Sequence, residues 1–490
     1  MSGECEYLGK WEGFKMTYIT DTEPTKFLHR YHNFARDYWR SPATEEDLRK
    51  DVLAYGNTVK RPNDRSLSYA ISLANEAFKL PQKVKMIALS DVFAQDDLGI
   101  WDKSPGLPWI KKGFKSKNDI RKDCKATKQV INFWEKVKRG QERLPDDTCA
   151  FVRRHITNYE QVKVRAILGY PATITIGEVV FAHQLTQAYL QGGSPFAYGY
   201  ETHQGGAMRI FQECFADWFA ATDFKSFDKT VPEFIIEIAF NILMSNIDFE
   251  HYHESDIVPD AREMVLMYRY LVKYFIHTPI RFSNGERYRK KGGIASGSMF
   301  TQLIGSIVNF ILIHWASLKQ KGRPRYIKVF GDDSICGFNY KFNLNAADDL
   351  FMSIRMKLNL EKSSVTNRLA DIKFLGYKIN NGLPSKDFNQ WMASLLYPER
   401  PDEDWDHVAS RALSLIYCNG GIDERFDGIC RSIIRRRPFR IALSKHQRNH
   451  LKMIGIEPAD ITGNPPERSE LIRRLTQIPN LHTRGDQETN

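Results

Sequence analysis

Three aspartates stand where this chain could do chemistry: Asp223, and the adjacent pair Asp332 and Asp333. Two carboxylates side by side on a turn repel each other and gain from a cation between them. Hard oxygen donors of this kind suit Mg²⁺. Two such ions roughly 4 Å apart can activate one oxygen and stabilise a departing one in phosphoryl transfer. That reaction otherwise consists of positioning and charge stabilisation. Gly331-Asp332-Asp333 alone is a weak signal, because Gly and Asp fill hairpin turns for reasons of backbone geometry. Its weight comes from its surroundings.

The elements around the aspartates would position them. Residues 218–222 (WFAAT) are a short apolar run, read as a buried strand ending in Asp223. Phe234, Ile235, Ile238, Ile242 and Leu243 predict a helix capped by Thr230, with Pro232 in its first turn. A second helix begins just after GGIASG (292–297), with Phe300, Leu303, Ile304, Ile307, Phe310 and Ile311 at helical spacing. Thr301, Gly305 and Asn309 span roughly 80° of arc on its other face, which could look into a cleft. Residues 326–330 and 334–338 flank the acidic turn as a β-hairpin. A helix at 346–358 and a strand at 372–377 follow. Upstream, helices are expected at 45–55 and 69–78, and a rigid turn at SPGLPW (104–109), followed by the basic stretch 111–128. Beyond about 380 the chain reads as helical and basic, with RRRPFR at 435–440 and a polar end, 482–490, expected to fray.

A length of 490 residues allows a large core and more than one domain. The formal charge of +11 fits either a solvated basic surface or a polyanionic partner such as RNA. The seven cysteines form no C-x-x-C pair, which argues against a zinc site or a disulfide framework and for a reducing compartment. The N-terminus lacks a secretory apolar stretch, and no run approaches the ~20 apolar residues of a membrane span.

DFKSFD (223–228), SGSMFTQLIGSIVN (296–309) and VFGDDS (329–334) occur in this order and resemble motifs A, B and C of viral RNA-dependent RNA polymerases. The wording S-G-x-x-F-T-Q-L and F-D-K-T-V-P is similar to partitiviruses and their relatives, viruses with small segmented double-stranded RNA genomes; a picobirnavirus-like enzyme stays open as an alternative. SPGLPW (104–109) resembles motif G, KVR (163–165) motif F, NLEK (359–362) motif D and FLGY (374–377) motif E.

The resemblance implies an α+β right-hand polymerase with fingers, an antiparallel palm sheet and a helical thumb. Its expected division is an N-terminal extension with fingertips (1–103), fingers (104–215 and 250–295), palm (216–249 and 296–385) and thumb (386–490). The implied reaction is template-directed joining of NTPs to an RNA 3′-hydroxyl with two Mg²⁺ or Mn²⁺ ions. Asp223, Asp332 and Asp333 would hold the metals, and Lys362 would act as general acid toward pyrophosphate. Nucleotide binding falls to Lys163, Arg165, Asp228, Ser296, Gly297, Thr301 and Asn309. Template and product RNA falls to Ser104, Pro105, Gly106, Phe374, Leu375 and Gly376. Implied partners are RNA, NTPs and a viral capsid protein, without a membrane, in the virion interior or host cytoplasm.

One position departs from the pattern. Gly305 stands where related enzymes commonly carry Asn or Asp, so the reading of the ribose 2′-hydroxyl is expected to fall on Asp228, Ser296 and Thr301. Two rivals remain at this point: a reverse transcriptase, and an RNA-packaging protein without activity.

Overall fold

The computed structural model describes residues 3–478, apart from 142 and 255–256. The polar end at 482–490 lies outside the described residues.

The element that fixes the site is a four-stranded antiparallel sheet. Trp218–Ala221 lies inside it, pairing with Asp333–Phe338 on one side and Ser364–Thr366 on the other; Tyr326–Phe330 forms one edge. The expected hairpin is present, with Phe330 opposite Asp333 and a two-residue loop of Gly331 and Asp332. Gly331 has φ +64°, a value that a primed hairpin turn requires at its first central residue and that glycine reaches without strain. Ser334–Phe338 is buried throughout, so its apolar side chains anchor the hairpin while its tip reaches solvent.

Beneath this sheet runs the helix Thr301–Lys319, buried on nearly every side because the helix Arg65–Ala77 covers its other flank. By length and composition it could cross a membrane, a match that the sequence reading did not anticipate. Within the fold 83% of its apolar window is buried, so that apolarity serves the core.

A second sheet of five strands joins Cys5–Lys10, Glu286–Lys290, Pro279–Arg281, Thr148–Arg154 and Val164–Gly169. Buried residues between Tyr377 and Leu471 form a separate, mainly helical core that also takes in Leu28 and Ala35. The first forty residues therefore bridge the molecule: one strand completes the five-stranded sheet, and the 3₁₀ segment Lys26–Ala35 packs on the helix Phe388–Leu396. Arg40 secures that bridge by donating to the Tyr397 carbonyl at 2.7 Å.

Three local expectations are corrected. Thr230 ends a short helix, Phe227–Thr230, and the next helix starts at Glu233 behind Pro232. The strand expected at 372–377 is a small hairpin of Lys373–Phe374 and Tyr377–Lys378, turned by Leu375 and Gly376 at φ +51° and +85°. The helix expected at 346–358 spans Leu344–Met352.

Candidate active site

Register brings the three aspartates together. Ala220 pairs with Cys336 and Phe219 with Gly337; Asp223 follows two residues after the strand Trp218–Ala221 ends, and Asp333 opens the strand it pairs with. The Thr222 and Ser334 hydroxyls, 3.0 Å apart, hold the intervening rung. Asp332 and Asp333 are exposed to solvent, yet enough protein surrounds them that burial is the largest influence on both carboxyls. Burial, then the charges of Asp332 and Asp223, pushes Asp333 up to about 7. Burial also raises Asp332; Arg165 opposes this, and Asp228 and Asp223 add to it. This excess of negative charge is what a cation would relieve.

The acidic turn is held from below. The Gly331 N–H donates to Ser306 Oγ at 2.7 Å, and the Asn309 side-chain amide lies 3.1, 2.9 and 3.3 Å from the carbonyls of Gly331, Asp332 and Asp333. Asn309 is fully buried, so its expected place at the nucleotide is corrected: it supports the turn. A Cβ on Gly305 would lie 3.3 Å from Gly331 Cα and 3.7 Å from the Phe227 ring. The missing side chain lets helix and turn approach.

Asp223 is fixed by residues 359–363. Its N–H donates to Ser363 Oγ at 2.9 Å, and its carbonyl accepts the Asn359 N–H at 2.7 Å. This carries Lys362 to the site, where its charge acts on Lys163. Lys163 precedes the strand Val164–Gly169, two residues from Arg165 and thus on the same face. Burial, followed by Arg165 and Lys362, lowers Lys163, while Asp223 opposes the shift.

The loop before the long helix sits on that basic strand. Ser296 Oγ accepts the Leu168 N–H at 3.1 Å, and a Cβ on Gly297 would strike the Leu168 carbonyl at 1.7 Å. Thr301 Oγ1 lies 2.5 Å from the Ala295 carbonyl and 2.8 Å from that of Ser298, closing the loop on itself. Glu178, fully buried, accepts the Ser298 hydroxyl at 2.5 Å and the Met299 N–H at 2.9 Å.

Other expected residues lie elsewhere. Pro105 and Gly106 are buried, with the Ala172 N–H bonded to the Pro105 carbonyl; Ser104 beside them is half-buried. Phe374 turns its ring into an apolar cluster, whereas Leu375 and Gly376 form the partly exposed hairpin tip. For Pro105, Gly106 and Phe374, direct contact with RNA is therefore corrected to packing. Residues the sequence did not single out are Ser306, Ser363, Glu178 and Lys373, the last acting electrostatically on Asp333. Arg153 also went unnoticed. It lies opposite Arg165 in the sheet and lines a cavity of about 690 Å³ together with Arg40, Arg154, Lys386, Arg411 and His446.

Among the described residues, no three His, Cys, Asp or Glu side chains already form a metal cage. Magnesium seldom needs one, because it binds through one or two carboxylates and completes its shell with water and substrate phosphates. The donor chemistry and charge excess of these aspartates fit such an ion.

Comparison with known proteins identifies the family and the fold. Residues 18–420 match the family model described as viral RNA-dependent RNA polymerase. The RNA-directed RNA polymerase of Cryptosporidium parvum virus 1 is 26% identical over 419 residues, covering 78% of this chain and 75% of the relative. That of Atkinsonella hypoxylon virus is 24% identical over 407 residues, covering 73% and 59%. That of white clover cryptic virus 1 is 26% identical over 287 residues, covering 52% and 46%. In fold, the chain is similar to the Sicinivirus 3Dpol RNA dependent RNA polymerase, with a TM-score of 0.67 at 16% identity over 97% of this chain and all of that one.

Proposed function

This chain belongs to the viral RNA-dependent RNA polymerase family, and from that premise we propose which of its residues carry out template-directed RNA synthesis. The reaction is attack of an RNA 3′-hydroxyl on the α-phosphate of an NTP, with pyrophosphate leaving. The observation that carries the assignment is the pairing of the strand that ends just before Asp223 with the strand that begins at Asp333, with both Asp223 and Arg165 acting on the two turn carboxylates.

Asp223, Asp332 and Asp333 would hold two Mg²⁺ or Mn²⁺ ions. Bound there, divalent cations supply an activated 3′-oxygen and neutralise charge on the departing phosphate. Arg165 grips the triphosphate in a fork, and Lys163 adds a point charge. Lys362 delivers a proton to pyrophosphate. Asp228 accepts the ribose 2′-hydroxyl, and the Ser296–Gly297 loop lies along the templating base. Arg153 and the basic cavity beside it take RNA backbone, with Ser104, Leu375 and Gly376 at the edges of the path. The motif wording supports a double-stranded RNA genome, capsid protein as partner, and the virion interior or host cytoplasm as compartment.

The test is labelled NTP incorporation by wild type and Asp332→Ala, with RNA binding measured alongside. Incorporation should vanish and binding persist. A variant that still polymerises would sink the assignment, and synthesis from dNTPs alone would revive the reverse transcriptase. A wild type that binds RNA without polymerising would favour the packaging protein.

A further inference from the structure

Asp228 is not a free carboxylate at the cleft edge. Its Oδ2 accepts Lys229 Nζ at 2.9 Å, and the same ammonium lies 3.1 Å from Asp51 on the helix Glu45–Leu53. Lys229 is 2% exposed, with its ammonium 3.9 Å from the centre of the Tyr55 ring. A buried ammonium is stable only when paired; here two carboxylates and an aromatic face pair it. Asp51 Oδ2 also accepts the Ala166 N–H at 2.6 Å, one residue after Arg165. A single carboxylate from an N-terminal helix thus joins the triphosphate-binding strand to the lysine that grips Asp228. Gly305, packed near Phe227, has no side chain that could do the same from the long helix.

We propose that the Asp51–Lys229 pair positions Asp228 for the ribose 2′-hydroxyl and so sets the preference for ribonucleotides over deoxyribonucleotides. The inference rests on reading Asp228 as the ribose contact. With Oδ2 held by the ammonium, Oδ1 accepts no hydrogen bond among the described residues and can accept the 2′-hydroxyl. Only that hydroxyl differs between an rNTP and its dNTP. A carboxylate free to turn therefore loses discrimination, whereas a merely structural loss lowers both reactions together.

The experiment compares kcat/KM for an rNTP and its dNTP in wild type, Asp228→Ala, Asp51→Asn and Lys229→Met, with thermal unfolding of each. Asp51→Asn keeps an oxygen for the Ala166 N–H and removes only the charge. Asp228→Ala, Asp51→Asn and Lys229→Met should each lower the rNTP:dNTP ratio by about tenfold, the scale of one charge-assisted hydrogen bond. Adding Asp51→Asn to Asp228→Ala should lower it no further. An unchanged ratio in Asp228→Ala removes the ribose reading and the inference with it. A lowered ratio there, with wild-type ratios in Asp51→Asn and Lys229→Met, leaves the ribose reading standing and overturns the inference. Equal losses for rNTP and dNTP overturn it too. If Lys229→Met does not fold, Asp51→Asn decides.

Discussion

The side-chain amide of Asn309 lies 2.9 Å from the carbonyl of Asp332, so a fully buried residue of the long helix holds the acidic turn from beneath. Asn309→Leu should leave three turn carbonyls without this donor, at a cost of about 1–3 kcal/mol in stability. The turn would also lose its aim, so kcat for NTP incorporation should fall at least about tenfold. KM for NTP should stay within about threefold, because no nucleotide contact is removed. Steady-state incorporation and thermal unfolding check this; an unchanged kcat would refute the supporting role.

Gly305→Ala sets two effects against each other. Alanine in a helix interior gains about 1 kcal/mol over glycine. Its Cβ would press on Gly331 Cα at 3.3 Å, and overpacking costs about 1–3 kcal/mol. Stability should change by no more than about 1–2 kcal/mol, while incorporation drops because the neighbour that yields belongs to the acidic turn. Full activity in a folded variant would show that the turn tolerates the displacement.

Glu178 makes stability depend on pH. Burial raises its carboxyl from the usual 4.5 to about 8, opposed by the Ser298 hydroxyl, the Met299 N–H and Lys117. The fold therefore holds this proton more tightly than the unfolded chain does. The group's contribution is whole below pH 4.5 and is lost as pH rises to about 8. Glu178→Gln can keep contacts with Ser298 and Met299 without ionising. It should match wild type in acid and exceed it at pH 9 by on the order of a few kcal/mol. Denaturant unfolding across this range measures the gap, and parallel curves would refute the pH dependence.

Arg153→Ala tests whether the basic cavity is part of the RNA path. Loss of one phosphate contact should weaken binding evenly across RNA sequences and make the log–log salt slope shallower by about 0.7–0.9. Fluorescence anisotropy at several salt concentrations reads both. An unaltered slope would place RNA away from Arg153.

Features governed by neighbours in sequence were legible from sequence. The hairpin 326–338 and the long helix follow from apolar periodicity and turn chemistry, and both stand in the fold. The 373–378 hairpin was not legible. Its turn places Leu375 at φ +51°, where a branched residue gives no local turn signal, so FLGY reads as one strand. Asn309 was picked out as a polar residue on the right helix, but periodicity cannot say whether that face meets solvent or a carbonyl.

By itself the sequence determined which residue types could bind metal and phosphate, and the local elements that carry them. Tertiary structure alone decided who supports them. Asp51 meets the Ala166 N–H across 115 residues, Glu178 meets Met299 across 121, and Ser363 meets Asp223 across 140. The reason is physical: a strand or helix period is written in adjacent side chains, whereas a buried polar group finds its partner only once register and packing have closed the loops between them.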